Sequence, residues 1–226
     1  MSSMPPSVLL HVAAGAVALA AGFAALALRK GGGPHRMAGN VFFASMMLMA
    51  AMGTLMSLDE PQEVNIVAGT LAAYLTLTAW LTARRPEGPL GLTGTLAMLF
   101  GAGVALAGFA FGLRGAGAPR GLLDGIPHQI SYAFAAFATL GVLLDVKVLL
   151  GGGTYGAGRI LRHVWRVCLA LLIASAAFFL GQQDEFPKAW QRSPLWLVPV
   201  FTVMGAMVFW VLRVRFSRAF RAAPAT

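Results

Sequence analysis

The sequence predicts an all-α integral membrane protein, a bundle of seven transmembrane helices with its N-terminus outside the cell and its C-terminus in the cytoplasm. Three observations lead to this fold class. The chain of 226 residues is 58% hydrophobic and only 11% charged, whereas soluble domains carry about 25% charged residues. The hydrophobic residues fall into seven long runs, and the basic residues concentrate in alternate connections between those runs.

Each apolar run is close to the length of about 20 residues that a helix needs to cross the hydrocarbon core. Helices are expected because a helix satisfies its own backbone hydrogen bonds in lipid, and the alternating pattern of a membrane barrel is absent. The predicted spans cover residues 8–28, 37–57, 65–83, 90–112, 128–150, 160–181 and 195–213. The connections are short, so residues 1–226 are predicted to form a single domain.

Local sequence accounts for several span ends. The segment before span 1 lacks the positive charge of a signal peptide, so span 1 is expected to remain in the protein. Pro34 suits the first turn of a helix and places His35 at the start of span 2. Spans 1 and 4 are rich in glycine and alanine, which lets helix backbones approach closely. The glycines of residues 151–158 predict a turn that makes spans 5 and 6 antiparallel neighbours.

The distribution of lysine and arginine predicts the orientation of the bundle. Thirteen of these residues lie at or near the segments that follow spans 1, 3, 5 and 7, and four lie in the other connections. Such an excess is typical of cytoplasmic segments. The net charge of +9 is therefore attributed to membrane topology. The expected partner is the lipid bilayer of the bacterial inner membrane, and nucleic acid is not expected.

Four histidines are the first candidates for chemistry, and all lie near span ends. The predicted topology puts His11 and His128 at the outer surface, and His35 and His163 at the inner surface. Because a haem iron accepts imidazole nitrogens from facing helices of a bundle, each pair is a candidate for the axial ligands of a b-type haem. The alternative is that all four are hydrogen-bonded interfacial histidines.

Two of these histidines share the pattern H-x-x-x-G, in which His11 precedes Gly15 and His35 precedes Gly39. One interpretation makes both glycines packing notches against a neighbouring helix. In the other, each glycine leaves space beside a planar cofactor bound to its histidine. The sequence leaves both interpretations open.

The predicted inner surface also holds buried charge. Arg159, His163 and Arg166 have the spacing of one face of span 6. Asp145 lies in span 5 at the same depth as Arg166. Because an unpaired charge in a membrane helix costs roughly 3 kcal/mol or more, we expect Asp145 to form an ion pair with Arg166 or a hydrogen bond to His163. This arrangement fits either a helix clamp or a proton or anion site.

These positions predict one shared pocket on the cytoplasmic side. We expect His35 and His163 to line it, with Arg36 and Arg166 supplying positive charge for a haem propionate or a quinone oxygen. A zinc site formed by His35, Asp145 and His163 is the alternative metal centre, because zinc accepts three such ligands plus water.

The chain resembles a bacterial family of predicted multi-span membrane proteins that carries a domain of unknown function. The resemblance runs over nearly the whole chain and rests on the segments LHVAAG, PHRMAGNVFF, ARRPEG, LDGIP, RILRHVWRVCLALLIAS, FFLGQQ and FWVLRVRF. It implies a membrane protein in which four residues are functionally important, namely His11, His35, His163 and Arg166. It implies no particular reaction.

Two positions depart from the pattern of that family. Val167 stands where methionine is more usual, and His128 follows LDGIP, where a histidine is not expected in relatives. The second departure makes the inner pair, His35 and His163, the stronger candidate for a cofactor site.

Three functions fit these observations. The first is a small redox membrane protein with a b-type haem or a quinone contact. The second is a proton-coupled transporter that uses the inner charged residues. The third is an accessory subunit of a larger membrane complex, without chemistry of its own. The odd number of spans disfavours the inverted repeats on which many transporters are built.

Overall fold

The computed structural model describes residues 5–59, 62–217 and 220. Seven long helices dominate the chain, and we number them in chain order. They are α1 (Pro6–Ala27), α2 (Gly33–Asp59), α3 (Glu63–Arg84), α4 (Gly91–Ala116), α5 (Gln129–Leu150), α6 (Gly156–Phe179) and α7 (Leu197–Phe216). Two-residue strands, β1 (Leu122–Leu123) and β2 (Ile126–Pro127), pair antiparallel in the α4–α5 connection. Single 3-10 turns cover Pro119–Gly121, Gln183–Glu185 and Pro194–Trp196.

The seven predicted helices are confirmed, and each is long and apolar enough to cross a membrane. Their observed bounds mostly extend the predicted spans into polar sequence. For example, α2 begins at Gly33 rather than at residue 37, so His35 and Arg36 belong to its first turn. Hydropathy falls at the end of an apolar run, but the helical hydrogen bonds continue into the polar residues that flank it.

Helix α3 occupies the centre of the bundle. It packs against α2, α4, α5 and α6, and half of its most apolar window is buried, compared with 6% for α7. The core that surrounds it includes Leu71, Tyr74 and Leu75 of α3, each without exposed surface. Because of this central position, α3 contributes residues both to the cavity and to the buried group around Asp145 that are described below.

Consecutive helices run in opposite directions, so alternate connections meet at the same end of the bundle. Gly88, between α3 and α4, forms a β-bridge with Thr154, between α5 and α6. Glu87 Oε1 accepts a hydrogen bond from the backbone N–H of Gly156 at 2.8 Å. We call this the basic end: it holds the α1–α2, α3–α4 and α5–α6 connections and the C-terminus of α7.

The opposite end is held by contacts of the start of α3 with the end of α4 and with the α4–α5 connection. Glu63 forms an ion pair with Arg114, and Asp124 Oδ2 accepts a hydrogen bond from the N–H of Val64 at 3.1 Å. Aromatic residues pack in the α6–α7 connection, where the rings of Phe186 and Trp196 stack with centroids 4.3 Å apart.

The outward faces of the helices are strongly apolar. On α4, Leu92, Leu106 and Leu113 are 77%, 71% and 68% exposed. Exposed apolar surface on this scale is compatible with contact to lipid. Over the residues that the structure describes, the chain is therefore an all-α protein of seven apolar helices, as expected for a multi-pass membrane protein.

Candidate functional site

The basic end contains a cavity of about 580 Å³, within the usual range for small-molecule sites of about 300–1,000 Å³. Residues from α1, α2, α3, α6 and α7 line it. Both His35 and His163 are among the lining residues, as is Arg36. The expected meeting of the two inner histidines at one pocket is therefore present in the structure.

His35 is anchored by the end of the preceding helix. It lies in the first turn of α2, and its Nδ1 is 3.1 Å from the carbonyl oxygen of Ala25 in α1. A carbonyl oxygen only accepts, so Nδ1 carries the proton and donates it. In the neutral ring, Nε2 therefore keeps a free lone pair.

His163 is held in the same way by a different helix. It lies in the second turn of α6, and its Nδ1 is 3.1 Å from the carbonyl oxygen of Ala79 in α3. Its Nε2 also keeps a lone pair. Histidines that bind a metal through Nε2 commonly donate their Nδ1–H to a backbone carbonyl in this way.

Positive charge surrounds the cavity. Lys30, Arg36, Arg84 and Arg159 line it, and no aspartate or glutamate is among the described residues that do so. Lys30 Nζ donates to backbone carbonyls at the end of α1, among them that of Ala25 at 2.9 Å, and burial lowers the pKa of its ammonium group. Arg36 and Arg84 are exposed.

The walls of the cavity are mostly apolar and aromatic. The rings of Phe43 and Trp80 stack with centroids 4.4 Å apart, and Trp210 of α7 contributes a third ring. Gly39 also lines the cavity, and a Cβ atom added there would meet nothing within 4 Å. Gly39 is therefore not a packing notch, whereas a Cβ on Gly15 would lie 3.2 Å from Met49 Sδ.

Asp145 lies at the centre of a second group of buried charged and polar residues. Its Oδ1 accepts hydrogen bonds from Arg166 Nη2 at 2.6 Å and from Arg162 Nη2 at 2.9 Å. Its Oδ2 accepts a hydrogen bond from the Tyr74 hydroxyl at 2.7 Å. Arg162 is 7% exposed, and the other three residues have no exposed surface. We call these four residues the Asp145 cluster.

The two arginines of the cluster also bind the backbone of neighbouring helices. Arg166 Nη2 donates to the carbonyl of Gly141 in α5 at 2.9 Å, and Arg162 Nη1 donates to that of Thr78 in α3 at 3.1 Å. The cluster therefore ties α6 to both α3 and α5. Its formal charge is +1, and the ring of Tyr74 lies 5.3 Å from the Arg166 guanidinium, close enough for a cation–π contact.

The expectation of one polar face on α6 is corrected by the structure. Arg159 and His163 face the cavity, whereas Arg162 and Arg166 face Asp145. Each pair is spaced by four residues, so each forms its own stripe along the helix. Because Arg166 points into the cluster, it is not among the residues that line the cavity, and its position gives no support to the predicted cofactor-binding role.

Two alternatives for Asp145 find no support in the structure. Its predicted partner Arg166 is present, but His163 bonds to Ala79 instead of Asp145. Both carboxylate oxygens of Asp145 are engaged, so Asp145 does not complete a zinc site with His35 and His163. Within residues 5–59, 62–217 and 220, no three histidine, cysteine or acidic side chains gather as metal ligands.

The other two histidines lie away from the cavity, in different parts of the bundle. His11 Nδ1 is 2.9 Å from the carbonyl oxygen of Met49 in α2. His128 Nδ1 is 2.7 Å from that of Gly121 in the α4–α5 connection. The expected second haem site between His11 and His128 has no support, because α1 packs mainly on α2 and α5 mainly on α4.

Arg162 and Tyr74 are the residues of the Asp145 cluster that sequence reasoning missed. Arg162 precedes Arg166 by one helical turn, which is the signal that could have placed both on Asp145. Tyr74 lies in an apolar run, where an aromatic residue is predicted to be an ordinary core residue.

Comparison with known proteins gives no family for this chain. No family model matches the chain, and no curated protein or solved structure shows a significant similarity to it. The resemblance to the bacterial membrane-protein family described above stays a prediction.

Proposed function

We propose that the protein is a small redox membrane protein that binds a b-type haem in the basic-end cavity, where His35 and His163 would hold its iron. The observation that carries this proposal is that both imidazoles line one cavity and both are anchored through Nδ1. Each ring thus offers the Nε2 lone pair that haem iron requires, from two different helices of a bundle.

The tautomer of the two histidines favours iron over a quinone as their partner. A quinone carbonyl accepts hydrogen bonds and needs a donor, but Nε2 of these rings is itself an acceptor. A quinol hydroxyl would satisfy Nε2, so a quinol remains a candidate electron donor to the site. The haem, when bound, supplies the one-electron chemistry.

The rest of the cavity suits an amphipathic planar ligand with negative charge at one edge. The aromatic and aliphatic walls match the macrocycle, and the exposed guanidinium groups of Arg36 and Arg84 match two propionates. Lys30 and Arg159 add positive potential nearby, although both already donate to backbone carbonyls. Gly39 leaves the open space that a flat group needs beside His35.

We also propose that the basic end faces the cytoplasm of a bacterial cell. Support comes from the sequence, in which thirteen lysines and arginines lie at or near the segments that follow spans 1, 3, 5 and 7, compared with four in the other connections. The haem would then lie near the cytoplasmic surface, with its propionates toward water.

A transporter that works through the Asp145 cluster finds less support. The carboxylate is saturated by two arginines and a tyrosine, which fits a clamp that fixes α6 against α3 and α5. A residue that carries protons must release its partners during each cycle, and three simultaneous partners oppose that release.

Haem binding can be tested on the full chain purified in detergent after expression with a haem precursor. We expect a Soret band and, after reduction, the sharp bands of low-spin haem. A chain that stays colourless and does not shift the spectrum of added haem contradicts the proposal. Proton-dependent uptake by vesicles that contain the colourless protein would then support transport, and co-purification with another subunit at fixed stoichiometry would support an accessory role.

A further inference from the structure

Arg162 and His163 are consecutive residues of α6, and they bind consecutive carbonyl groups of α3. Arg162 Nη1 donates to the carbonyl of Thr78 at 3.1 Å, and His163 Nδ1 donates to that of Ala79 at 3.1 Å. On both helices, the guanidinium of Arg162 is therefore one residue away from an imidazole that is proposed to hold the haem iron. The Asp145 cluster and the cavity are neighbours across this part of α3.

Thr82 is the residue of α3 that contacts both the cluster and the cavity. It lines the cavity, and its Oγ1 accepts a hydrogen bond from Arg162 Nη1. Both residues are buried, at 5% exposure for Thr82 and 7% for Arg162. The electric field of the guanidinium therefore crosses protein rather than bulk water on its way to the cavity, and salt screens buried charges only weakly.

The charge of the cluster is not balanced. Two guanidinium groups share the single carboxylate of Asp145, and the hydroxyl of Tyr74 is a neutral donor, so a charge of +1 remains. No aspartate or glutamate is among the described residues that line the cavity. The propionates of the proposed haem are assigned to the exposed guanidinium groups of Arg36 and Arg84, which leaves the excess charge of the cluster to act on the iron.

We propose that the Asp145 cluster raises the reduction potential of the haem, and that Arg162 supplies most of this effect. Reduction adds one electron to the iron, so the iron–porphyrin core changes from a charge of +1 to neutral. A nearby positive charge destabilises the ferric form more than the ferrous form. The raised potential makes the haem a stronger electron acceptor for a quinol donor. This inference rests on the proposed haem site.

The test is a potentiometric titration of the full chain in detergent, read from the absorbance of the reduced haem. At a fixed potential, we expect Arg162→Gln to shift the ferrous-to-ferric ratio about tenfold toward ferric, as expected for one unit charge acting over about one helix diameter. This shift lowers the midpoint by about 59 mV for a one-electron couple. Asp145→Asn should raise the midpoint, because it leaves more positive charge uncompensated.

The opposite signs separate the effect of charge from structural damage. A loosened bundle admits water, which stabilises the charged ferric core, so damage lowers the potential in either variant. Arg162→Lys keeps the charge and should keep the wild-type potential. Arg114→Gln removes a charge at the opposite end, where the side chain is 63% exposed, and it should also leave the potential unchanged. A low-spin spectrum in each variant checks that the iron keeps both ligands.

The outcomes distinguish this inference from the haem proposal. Equal potentials in the wild type and Arg162→Gln overturn the role of the cluster and leave the haem site in place. A fall in Arg162→Lys as large as that in Arg162→Gln also overturns it, because charge is then not the cause, and so does a lowered potential in Asp145→Asn. If Asp145→Asn does not fold, the two Arg162 variants decide, since they retain the pair of Asp145 and Arg166. Failure of the wild type to bind haem overturns the haem site, and the inference with it.

Discussion

Arg166 Nη2 lies 2.6 Å from Asp145 Oδ1, and neither side chain has exposed surface. Arg162 binds the same oxygen, so one carboxylate compensates two guanidinium groups in the middle of an apolar bundle. Removing the carboxylate would leave two adjacent buried positive charges, whereas removing Arg166 would leave a neutral pair.

Asp145→Asn is therefore expected to destabilise the protein more than Arg166→Gln does. Breaking a buried ion pair from one side costs about 3–5 kcal/mol, and we expect Asp145→Asn to fall in this range. In the Arg166→Gln background, the same change should cost less, because only one guanidinium then loses its partner. Thermal unfolding of the two single mutants and the double mutant in detergent measures this coupling.

The pair of Glu63 and Arg114 provides a matched control. These residues lie at the opposite end, and the Arg114 side chain is 63% exposed. Exposed pairs contribute at most about 1 kcal/mol, so their cycle should be close to additive. Strict additivity in the Asp145 and Arg166 cycle would contradict the buried pair.

Tyr74→Phe separates the hydrogen bond of Tyr74 from its packing. The phenylalanine ring keeps its place between Gly101 and Gly141, where an added Cβ would lie 2.7 and 2.8 Å from the ring of Tyr74. Only the hydroxyl bonded to Asp145 is lost, and a hydrogen bond to a charged group contributes about 1.5–3 kcal/mol. We expect the free energy of unfolding, measured by chemical denaturation, to fall by an amount in that range. A change below about 0.5 kcal/mol would show that this hydrogen bond does not contribute to stability.

Two glycines of α2 should respond to alanine in opposite ways. In Gly53→Ala, the new Cβ would lie 2.8 Å from His11 Cε1, and such overpacking costs about 1–3 kcal/mol. In Gly39→Ala, the Cβ enters open space, and the helix should be unchanged or gain up to about 1 kcal/mol. Equal melting temperatures for the two variants would argue against the open space beside His35.

The orientation of the bundle is testable with a reporter that works only outside the cytoplasm. Fused after Thr226, the reporter should be inactive, because the basic end is proposed to be cytoplasmic. Fused after Lys188, in the α6–α7 connection, it should be active. The reverse pattern would invert the topology and place the haem cavity at the outer surface.

The helices could be predicted from the sequence because membrane-spanning length and apolar composition are local properties. The partnership of Asp145 with Arg166 could also be predicted, since both lie at the same depth on either side of a glycine-rich turn and a buried charge needs a partner. The close packing of spans 5 and 6 expected with it is absent, because α6 packs mainly on α3 and α7. Tyr74 could not be found in this way, because its role depends on the placement of α3 beside both of those helices.

The limits of prediction appear most clearly in the four histidines. Depth in the membrane follows from position along a helix, so His11 and His128 could be assigned to the same end. The lateral position of a residue follows from helix packing, which hydropathy does not encode. Packing places His11 and His128 in different parts of the bundle and brings His35 and His163 to one cavity. The contributions of α1 and α7 to the cavity depend on the same packing and could not be predicted.

The central claim, that His35 and His163 ligate one haem, is tested most directly by the spin state of the iron in four single variants. Electron paramagnetic resonance of His35→Ala and His163→Ala should each show the low-spin signal converted to high-spin, with added imidazole restoring the low-spin signal. His11→Ala and His128→Ala, whose rings lie outside the cavity, should keep the wild-type signal. A low-spin signal that persists in both His35→Ala and His163→Ala would contradict the account.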